Sequence, residues 1–167
     1  MNITIRPHTP QDRQAIHRVH TDAFGQTLEA DLVDALIDGG FALVSLVAEQ
    51  HAEVTGHVLL SRLEIVVGEA LVDSVALAPV AVSPDWQRRG IGSELIRRGI
   101  DDCRALGEGS VFVLGEPAYY GRFGFSAELA SRFESPYSGD AFQALEFQTC
   151  GLPASGRIRY APPFADL

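Results

Sequence analysis

An apolar run that stops at a proline and continues into a basic, glycine-containing loop constrains this chain more than any other segment. The run ends at Val80, Ala81 and Val82, the proline is Pro84, and helical periodicity resumes near Gly92. The loop should therefore present backbone N–H groups at the start of a helix. These groups have no partner inside the helix, and the helix dipole makes that end positive, so together they attract an anion.

The composition of the loop favours an anion as large as a diphosphate. Gly90 and Gly92 lack a Cβ, so a bulky group can approach the main chain closely, and Arg88 and Arg89 add formal positive charge. We expect six consecutive residues to hold the diphosphate. These are Arg88, Arg89, Gly90, Ile91, Gly92 and Ser93. The alternative is an ordinary strand–loop–helix joint with surface arginines.

The glycine spacing excludes two other nucleotide-binding loops. A dinucleotide fold needs the pattern G-x-G-x-x-G, and a P-loop needs Gly-Lys followed by Ser or Thr. Here Leu95 stands where the third glycine would be, and the chain has no Gly-Lys-Ser or Gly-Lys-Thr. The pattern Q-R-R-G-I-G after V-A-V-S-P instead resembles the pyrophosphate loop of the GNAT superfamily, the acyl-CoA-dependent N-acyltransferases. The resemblance implies acetyl-CoA as the co-substrate.

Hydrophobic periodicity along the chain predicts an α/β protein of the order β-α-α-β-β-β-α-β-α-β-β. Thr9 and Thr27 are expected to cap the first two helices, and Glu94 and Arg98 to pair on the third. Strands are expected at 2–6, 41–49, 53–67, 70–82, 110–114, 142–148 and 157–160. Further helical segments are expected at about 92–106 and at 117–123, and a turn-rich stretch at 126–141. Such a mixed central sheet, flanked by helices on both faces, has the order of GNAT folds, so the resemblance covers nearly the whole chain.

Length and composition indicate a single domain over residues 1–167. A content of 46% hydrophobic and 21% charged residues is typical of a globular protein. No apolar run reaches the roughly 18 residues of a membrane span, and the N-terminus has no signal-peptide pattern. We therefore expect a cytoplasmic protein with no membrane partner. The net charge of −9 disfavours nucleic acid as a ligand.

Cysteine and histidine usage predicts neither a metal site nor a disulfide framework. Cys103 falls on the apolar stripe of the third helix, where a small hydrophobic residue is expected, and Cys150 is the other cysteine. The sequence has no C-x-x-C motif, and its five histidines show no metal-ligand spacing. His57 lies in an apolar strand and is expected to be a hydrogen-bonded core residue.

Acyl transfer from a thioester requires a polarised carbonyl, and the resemblance assigns this task to the fourth strand. In GNAT enzymes the pantetheine arm pairs with the end of this strand, which diverges from the fifth. The matching residues are Val80, Ala81 and Val82, whose main chain would hold the arm and polarise the acyl group. They are also apolar strand residues suited to the core. Both roles are compatible, because the ligand would use the backbone and the core would use the side chains.

The departing thiolate must also be stabilised or protonated. The run A-Y-Y-G-R-F-G-F over residues 118–125 resembles the GNAT pattern Y-x-x-x-G-F, which implies that Tyr120 donates to the sulfur. Tyr119 is one residue out of register. The alternative is that both tyrosines only pack the helix onto the sheet. Residues 114–120 further resemble the L-G-x-P-x-Y-Y segment of a bacterial subgroup of predicted N-acetyltransferases.

The resemblance leaves the general base and the acceptor open. Better-understood GNAT members carry a glutamate at positions that match Ala76 or residues 112–114, and this chain has no acid there. The leading hypothesis is direct transfer of an acetyl group to a primary amine of a small molecule or protein, in a monomer or homodimer. The acceptor is expected between residues 24–28 and the final hairpin, near Glu29 or Asp31. The alternative is a non-catalytic acyl-CoA-binding sensor or interaction module on the same scaffold.

Overall fold

Eight strands form one mixed β-sheet in the computed structural model, which describes residues 2–148 and 151–166. The strands are β1 (Thr4–Pro7), β2 (Ala42–Gln50), β3 (Glu53–Val67), β4 (Ala70–Val82), β5 (Ser110–Leu114), β6 (Phe133–Glu134), β7 (Phe142–Glu146) and β8 (Gly156–Tyr160). The helices are α1 (Arg13–Phe24), α2 (Leu28–Asp38), α3 (Ile91–Ala105), α4 (Pro117–Tyr120) and α5 (Ala127–Ala130).

The long strand β3 organises the sheet because it has partners along both edges. One edge pairs antiparallel with β4, while the other pairs with β2 in its first half and with β8 in its second. The sheet continues outward on each side, giving the order β1-β2-β3-β4-β5-β7. Strands β4 and β5 run parallel, as do β6 and β8.

Helices cover both faces of this sheet and divide the core in two. Side chains alternate across a strand, so Leu59 of β3 packs in the cluster that contains Ile16 of α1, whereas Leu60 packs in the cluster that contains Leu95 of α3. A Cβ at Gly99 of α3 would lie 2.7 Å from Cδ1 of Leu60. The glycine therefore allows α3 to approach the sheet closely.

The predicted capping is found at Thr9, before the turn that leads into α1, but the predicted side-chain cap at Thr27 is wrong. A 3₁₀ turn precedes α1, and the backbone N–H of Thr9 donates to the Asp12 carboxylate at 2.7 Å, as in a capping box. Thr27 occupies the N-cap of α2, but its side chain makes no capping hydrogen bond there. Its carbonyl instead accepts from the N–H of Asp31 at 2.8 Å.

The predicted α/β order is confirmed, with two additional short elements. The stretch 126–141 contains α5 and β6, each too short to show a periodic pattern. One predicted ion pair is wrong: Arg98 binds Asp102 at 3.1 Å, and Glu94 binds Arg97 at 2.7 Å. Partners three and four residues away are both within reach on a helix, and the pattern alone does not choose between them.

Cys103 is fully buried on α3, as predicted for a small core residue. Burial raises the pKa of its thiol to about 12, because the thiolate would lose its hydration. Cys150 lies outside the described residues. Among the described helices, none is both long and apolar enough to cross a membrane.

Candidate active site

The loop before α3 presents backbone donors that have no acceptor within the helix. Gly90 is the N-cap residue, and the first intrahelical bond runs from the N–H of Glu94 to the Gly90 carbonyl at 3.1 Å. The N–H groups of Ile91, Gly92 and Ser93 therefore lie in the unpaired first turn. Gly90 has a φ of 83°, which disfavours any residue with a Cβ. The turn that orients these donors thus requires a glycine at position 90.

These donors line a cavity of about 230 Å³ at the end of β4. Its walls come from β4, the following 3₁₀ turn, the loop and α4. The lining residues are Val82, Trp86, Gln87, Arg88, Gly90, Ile91, Gly92, Ser93 and Tyr119. None of these residues is acidic, so nothing in the wall opposes the positive end of the α3 dipole. The cavity therefore suits an anion such as a diphosphate.

Six of the residues predicted to bind the cofactor line this cavity, and three do not. Val80 and Ala81 lie farther back along β4, and Arg89 lies outside the wall. The two arginines differ because Arg88, with a φ of 65°, lines the cavity, whereas the Arg89 guanidinium stacks over Trp86 at 4.8 Å.

Strands β4 and β5 diverge beside this cavity. They pair only at Val75 with Val111 and at Ala76 with Phe112 among the described residues. Past these pairs, the edge of β4 that faces β5 has no strand partner. The register of β3 with β4 also shifts between Val58 and Leu60, which leaves one extra residue in β4 at this level. The structure thus contains a fork between two parallel strands.

The end of β4 remains attached to its other neighbours. Ala81 pairs with His57 of β3, and Val82 pairs with Gly56. The Gln87 side chain donates to the Val82 carbonyl at 2.9 Å. The residues predicted to hold a pantetheine arm are therefore fixed from the β3 side, which leaves their other edge for a ligand.

The two adjacent tyrosines of α4 have different surroundings. Tyr119 lines the cavity, and its hydroxyl lies 2.9 Å from Ser93 Oγ. The Arg122 guanidinium stacks over the Tyr119 ring at 4.8 Å and donates to Ser93 Oγ at 3.3 Å. Tyr119 is therefore part of the anion cavity, a role that the sequence pattern did not reveal because the tyrosine is out of register.

Tyr120 is buried in the core cluster on the α3 side of the sheet. Its ring packs edge-on against Phe125 at 5.8 Å, and a Cβ at Gly115 would collide with it. No described residue forms a hydrogen bond with its hydroxyl. Burial raises the pKa of Tyr120 to about 12, and Tyr119 adds a smaller effect in the same direction. The phenol is therefore protonated throughout the neutral range.

Trp86 and Gln87 are further cavity residues that the sequence reading missed, and Arg122 supports the cavity from outside its wall. Trp86 and Gln87 lie in the wall, and Arg122 touches it through Ser93. Trp86 and Gln87 immediately precede the two loop arginines, so their position in the motif was the available signal.

Acidic side chains are absent from the described residues of the fork, which are 76–78 and 112–114. His57 is buried, with its Nδ1 2.8 Å from His20 Nε2 and its Nε2 2.8 Å from Ser45 Oγ. Burial holds the pKa of His57 well below its usual value. It is the hydrogen-bonded core residue that the sequence predicted.

One group of possible metal ligands lies on α1 and α2. His17, Asp31 and Asp34 bring ligand atoms within 4.8 Å of one another. However, Asp34 already accepts from Arg13 at 3.0 Å and lies 3.0 Å from His17 Nδ1. Its charge is thus compensated within the protein.

Comparison with known proteins identifies the family. The model of the acetyltransferase (GNAT) domain matches residues 4–127. The uncharacterized N-acetyltransferase YjhQ of Escherichia coli is 40% identical over 132 residues, which cover 75% of this chain and 71% of YjhQ. The uncharacterized N-acetyltransferase YhbS of the same species is 36% identical over 144 residues, which cover 83% of this chain and 84% of YhbS.

Solved structures agree with this result over the whole fold. A GNAT family acetyltransferase from Brucella melitensis in complex with acetyl-CoA superposes with a TM-score of 0.83 and 34% identity, covering 98% of both chains. Escherichia coli YhbS in complex with CoA gives a TM-score of 0.90, covering 99% of this chain and 93% of YhbS. These relatives do not favour a non-catalytic module. The chain belongs to the GNAT acetyltransferase family and is an acyl-CoA-dependent N-acetyltransferase with acetyl-CoA as its co-substrate.

Proposed function

We propose that the protein transfers an acetyl group to a primary amine of a small molecule or protein by direct attack of the amine. The observation that carries this proposal is the anion cavity at the α3 N-terminus, which lies beside the fork between β4 and β5. The cavity would hold the diphosphate and the fork would receive the thioester. No cysteine lines the cavity or the fork among the described residues. The described residues of these two sites therefore offer no thiol for a covalent acyl-enzyme.

The residues around the cavity fit the diphosphate of CoA. The N–H groups of Ile91, Gly92 and Ser93 supply donors, and Arg88 supplies a formal positive charge at the rim. A Cβ at Gly92 would lie 3.7 Å from Val82 and 3.8 Å from the Tyr119 hydroxyl, so the space above this residue is narrow. Arg89 would act through Trp86, by fixing the turn that precedes the loop.

Main-chain groups of Val80, Ala81 and Val82 would hold the pantetheine arm and polarise the acyl carbonyl. Their support is the unpaired edge of β4 past Ala76. Because pairing with β3 already fixes this strand, an N–H on its free edge needs no reorganisation when charge develops on the carbonyl oxygen. The side chains of these residues would remain apolar packing surface.

Tyr120 would donate a hydrogen bond to the sulfur as the carbon–sulfur bond breaks. Its raised pKa keeps the proton on the phenol, so the hydroxyl acts as a donor at neutral pH. As the carbon–nitrogen bond forms, the amine loses a proton to water, and the thiolate that leaves is protonated in turn. The balance of the reaction therefore needs no redox partner.

The finer placement within the family is part of the same proposal. Residues 114–120 carry the L-G-x-P-x-Y-Y pattern, and the glycine at 115 leaves the space that the Tyr120 ring occupies. We infer that the chain is a single domain over 1–167 and that it belongs to the subgroup with this segment.

The test combines binding and turnover. Calorimetry with CoA should show binding at one site per chain. An assay of thiol release from acetyl-CoA, run over aliphatic amines, aromatic amines, diamines and lysine peptides, should show release with at least one class. CoA binding without turnover on any of these amines would instead support the sensor.

A further inference from the structure

We propose, building on the proposed function, that the acceptor is a primary amine whose apolar body is an aromatic ring. The site is a cavity of about 240 Å³ at the fork, here called the aromatic slot. It is formed by residues 76–78 of β4, residues 112–114 of β5 and the rings of Tyr137, Tyr160 and Phe164.

The slot lies where an attacking amine would have to approach. Ala76 and Phe112 are the last paired residues of β4 and β5, and both belong to the core cluster on the α1 and α2 face. Tyr120 belongs to the cluster on the opposite, α3 face. A group bound in the slot would therefore reach the fork from the side opposite the phenol that donates to the leaving sulfur.

Three aromatic rings form the outer wall of the slot. The centroids of Tyr137 and Tyr160 are 5.3 Å apart at 79°, and those of Tyr160 and Phe164 are 5.2 Å apart. Aromatic rings favour such edge-on and tilted contacts with another ring. An apolar cavity of about 150 Å³ is known to hold benzene, so the slot has room for a substituted ring.

The chemistry of the wall also selects the protonation state of the amine. None of the slot's lining residues carries a charge. An ammonium group would lose its hydration there without gaining a counter-ion, which disfavours the charged form. The slot therefore favours a neutral amine. An arylamine such as aniline is already deprotonated at neutral pH and would need no carboxylate base at the fork, whereas an arylalkylamine such as benzylamine is protonated at that pH and would first lose its proton to water.

A second, open groove of about 560 Å³ lies beside the slot and shares Tyr137, Tyr160 and Phe164 with it. Glu134, Arg157 and Arg159 line this groove. Polar substituents of the acceptor would be placed here, while the ring occupies the slot. Glu29 and Asp31, which the sequence placed near the acceptor, line neither cavity.

The first experiment compares matched amines on the whole protein with acetyl-CoA. Benzylamine and aniline should give kcat/KM values at least about tenfold above those of n-propylamine, since only the ring fills the slot. Calorimetric titration of the same amines into the CoA-bound protein should show the same order of Kd. Equal kcat/KM and equal Kd for all three amines would overturn the proposal.

The second experiment uses two variants at one position. Tyr137→Phe keeps the ring and should retain the preference for benzylamine, whereas Tyr137→Ala removes one wall and should reduce it about tenfold. Both variants should keep the wild-type Kd for CoA, which confirms that they fold. An equal loss in both variants would mean that the hydroxyl, not the ring, binds the acceptor, and would overturn the proposal.

Two further outcomes separate this inference from the proposed function. Benzylamine binding without turnover would retain the slot as a binding site and overturn the acetyl transfer. Faster turnover of hexanoyl-CoA than of acetyl-CoA, with no preference among the amines, would show that the slot holds an acyl chain. This result would overturn the aromatic acceptor but leave the acyl-transfer activity standing.

Discussion

His20 Nε2 lies 2.8 Å from His57 Nδ1, and both rings are closed to solvent. Ser45 Oγ completes this chain of hydrogen bonds at His57 Nε2, while Nδ1 of His20 is buried without a partner among the described residues. Burial lowers the pKa of His20 to about 4 and that of His57 well below its usual value. Two neutral imidazoles thus connect helix α1 to the central strand β3.

This pair predicts that stability falls in mild acid. Both folded-state pKa values are lowered, so the unfolded chain binds protons that the folded chain does not, at pH values below about 6.5. The contribution is complete above that pH and is lost as the pH falls towards 4. Each histidine should lower the free energy of unfolding by up to about 1.4 kcal/mol per pH unit within this window.

Urea unfolding at pH 7.5, 6 and 5 measures this effect. The double variant His20→Gln with His57→Gln should show a much smaller dependence on pH. The matched control is His51→Asn, at an exposed turn residue, which should keep the wild-type dependence. An unchanged dependence in the double variant would assign the acid sensitivity to other groups.

The anion cavity predicts a strong charge effect at Gly92. Gly92→Ala adds only a Cβ at ordinary contact distances of 3.7 and 3.8 Å and should change the Kd for CoA by about threefold or less. Gly92→Glu places a carboxylate against the diphosphate and should weaken binding about 100-fold, or about 2.7 kcal/mol. Calorimetry compares the two. Similar affinities for both variants would show that the phosphates bind elsewhere.

The two loop arginines should differ in their effect on CoA binding. Arg88→Ala removes a positive charge from the cavity wall and should weaken binding about tenfold at low salt, with a smaller loss at high salt. Arg89→Ala removes the contact with Trp86 and should weaken it less. Titrations at two salt concentrations distinguish these effects. A larger loss for Arg89 would place its guanidinium on the ligand.

Variants of Tyr119 and Tyr120 should separate CoA binding from the chemical step. Tyr120→Phe retains the packing, so CoA affinity should be nearly normal, while kcat should fall about 100-fold or more. Tyr119→Phe loses the hydrogen bond to Ser93 and should weaken CoA binding about fivefold, with a smaller change in kcat. Steady-state kinetics with a turned-over amine, together with calorimetry, provides the comparison. Wild-type kcat in Tyr120→Phe would exclude the donor role.

The same assignment predicts the alkaline side of the rate profile. Because burial raises the pKa of Tyr120 to about 12, its hydroxyl remains a donor well above pH 10. Aniline is neutral throughout this pH range, so its own titration does not affect the rate. With aniline as acceptor, the rate should therefore not fall between pH 8 and 10 through deprotonation of Tyr120. A fall in rate centred between pH 8 and 10 that is absent in Tyr120→Phe would show that the pKa of Tyr120 lies within that range.

Local signals in the sequence determined most of the fold. The break at Pro84, the glycines of the loop and the periodicity after residue 92 predict the strand, turn and helix that form the cavity. Each of these depends on backbone geometry within a few residues, which the residue type controls directly. The long strands could also be predicted from the sequence, because their apolar runs are bounded by turns.

Only the tertiary structure decided how distant residues meet. The aromatic slot joins residues 76–78 and 112–114 with Tyr137, Tyr160 and Phe164, and no local pattern links these segments. The different surroundings of Tyr119 and Tyr120 depend on how α4 is rotated where it meets the N-terminal end of α3, and sequence register alone does not specify that rotation. Packing and burial arise from contacts between elements, so the charge, polarity and shape of the site become defined only when the sheet is assembled.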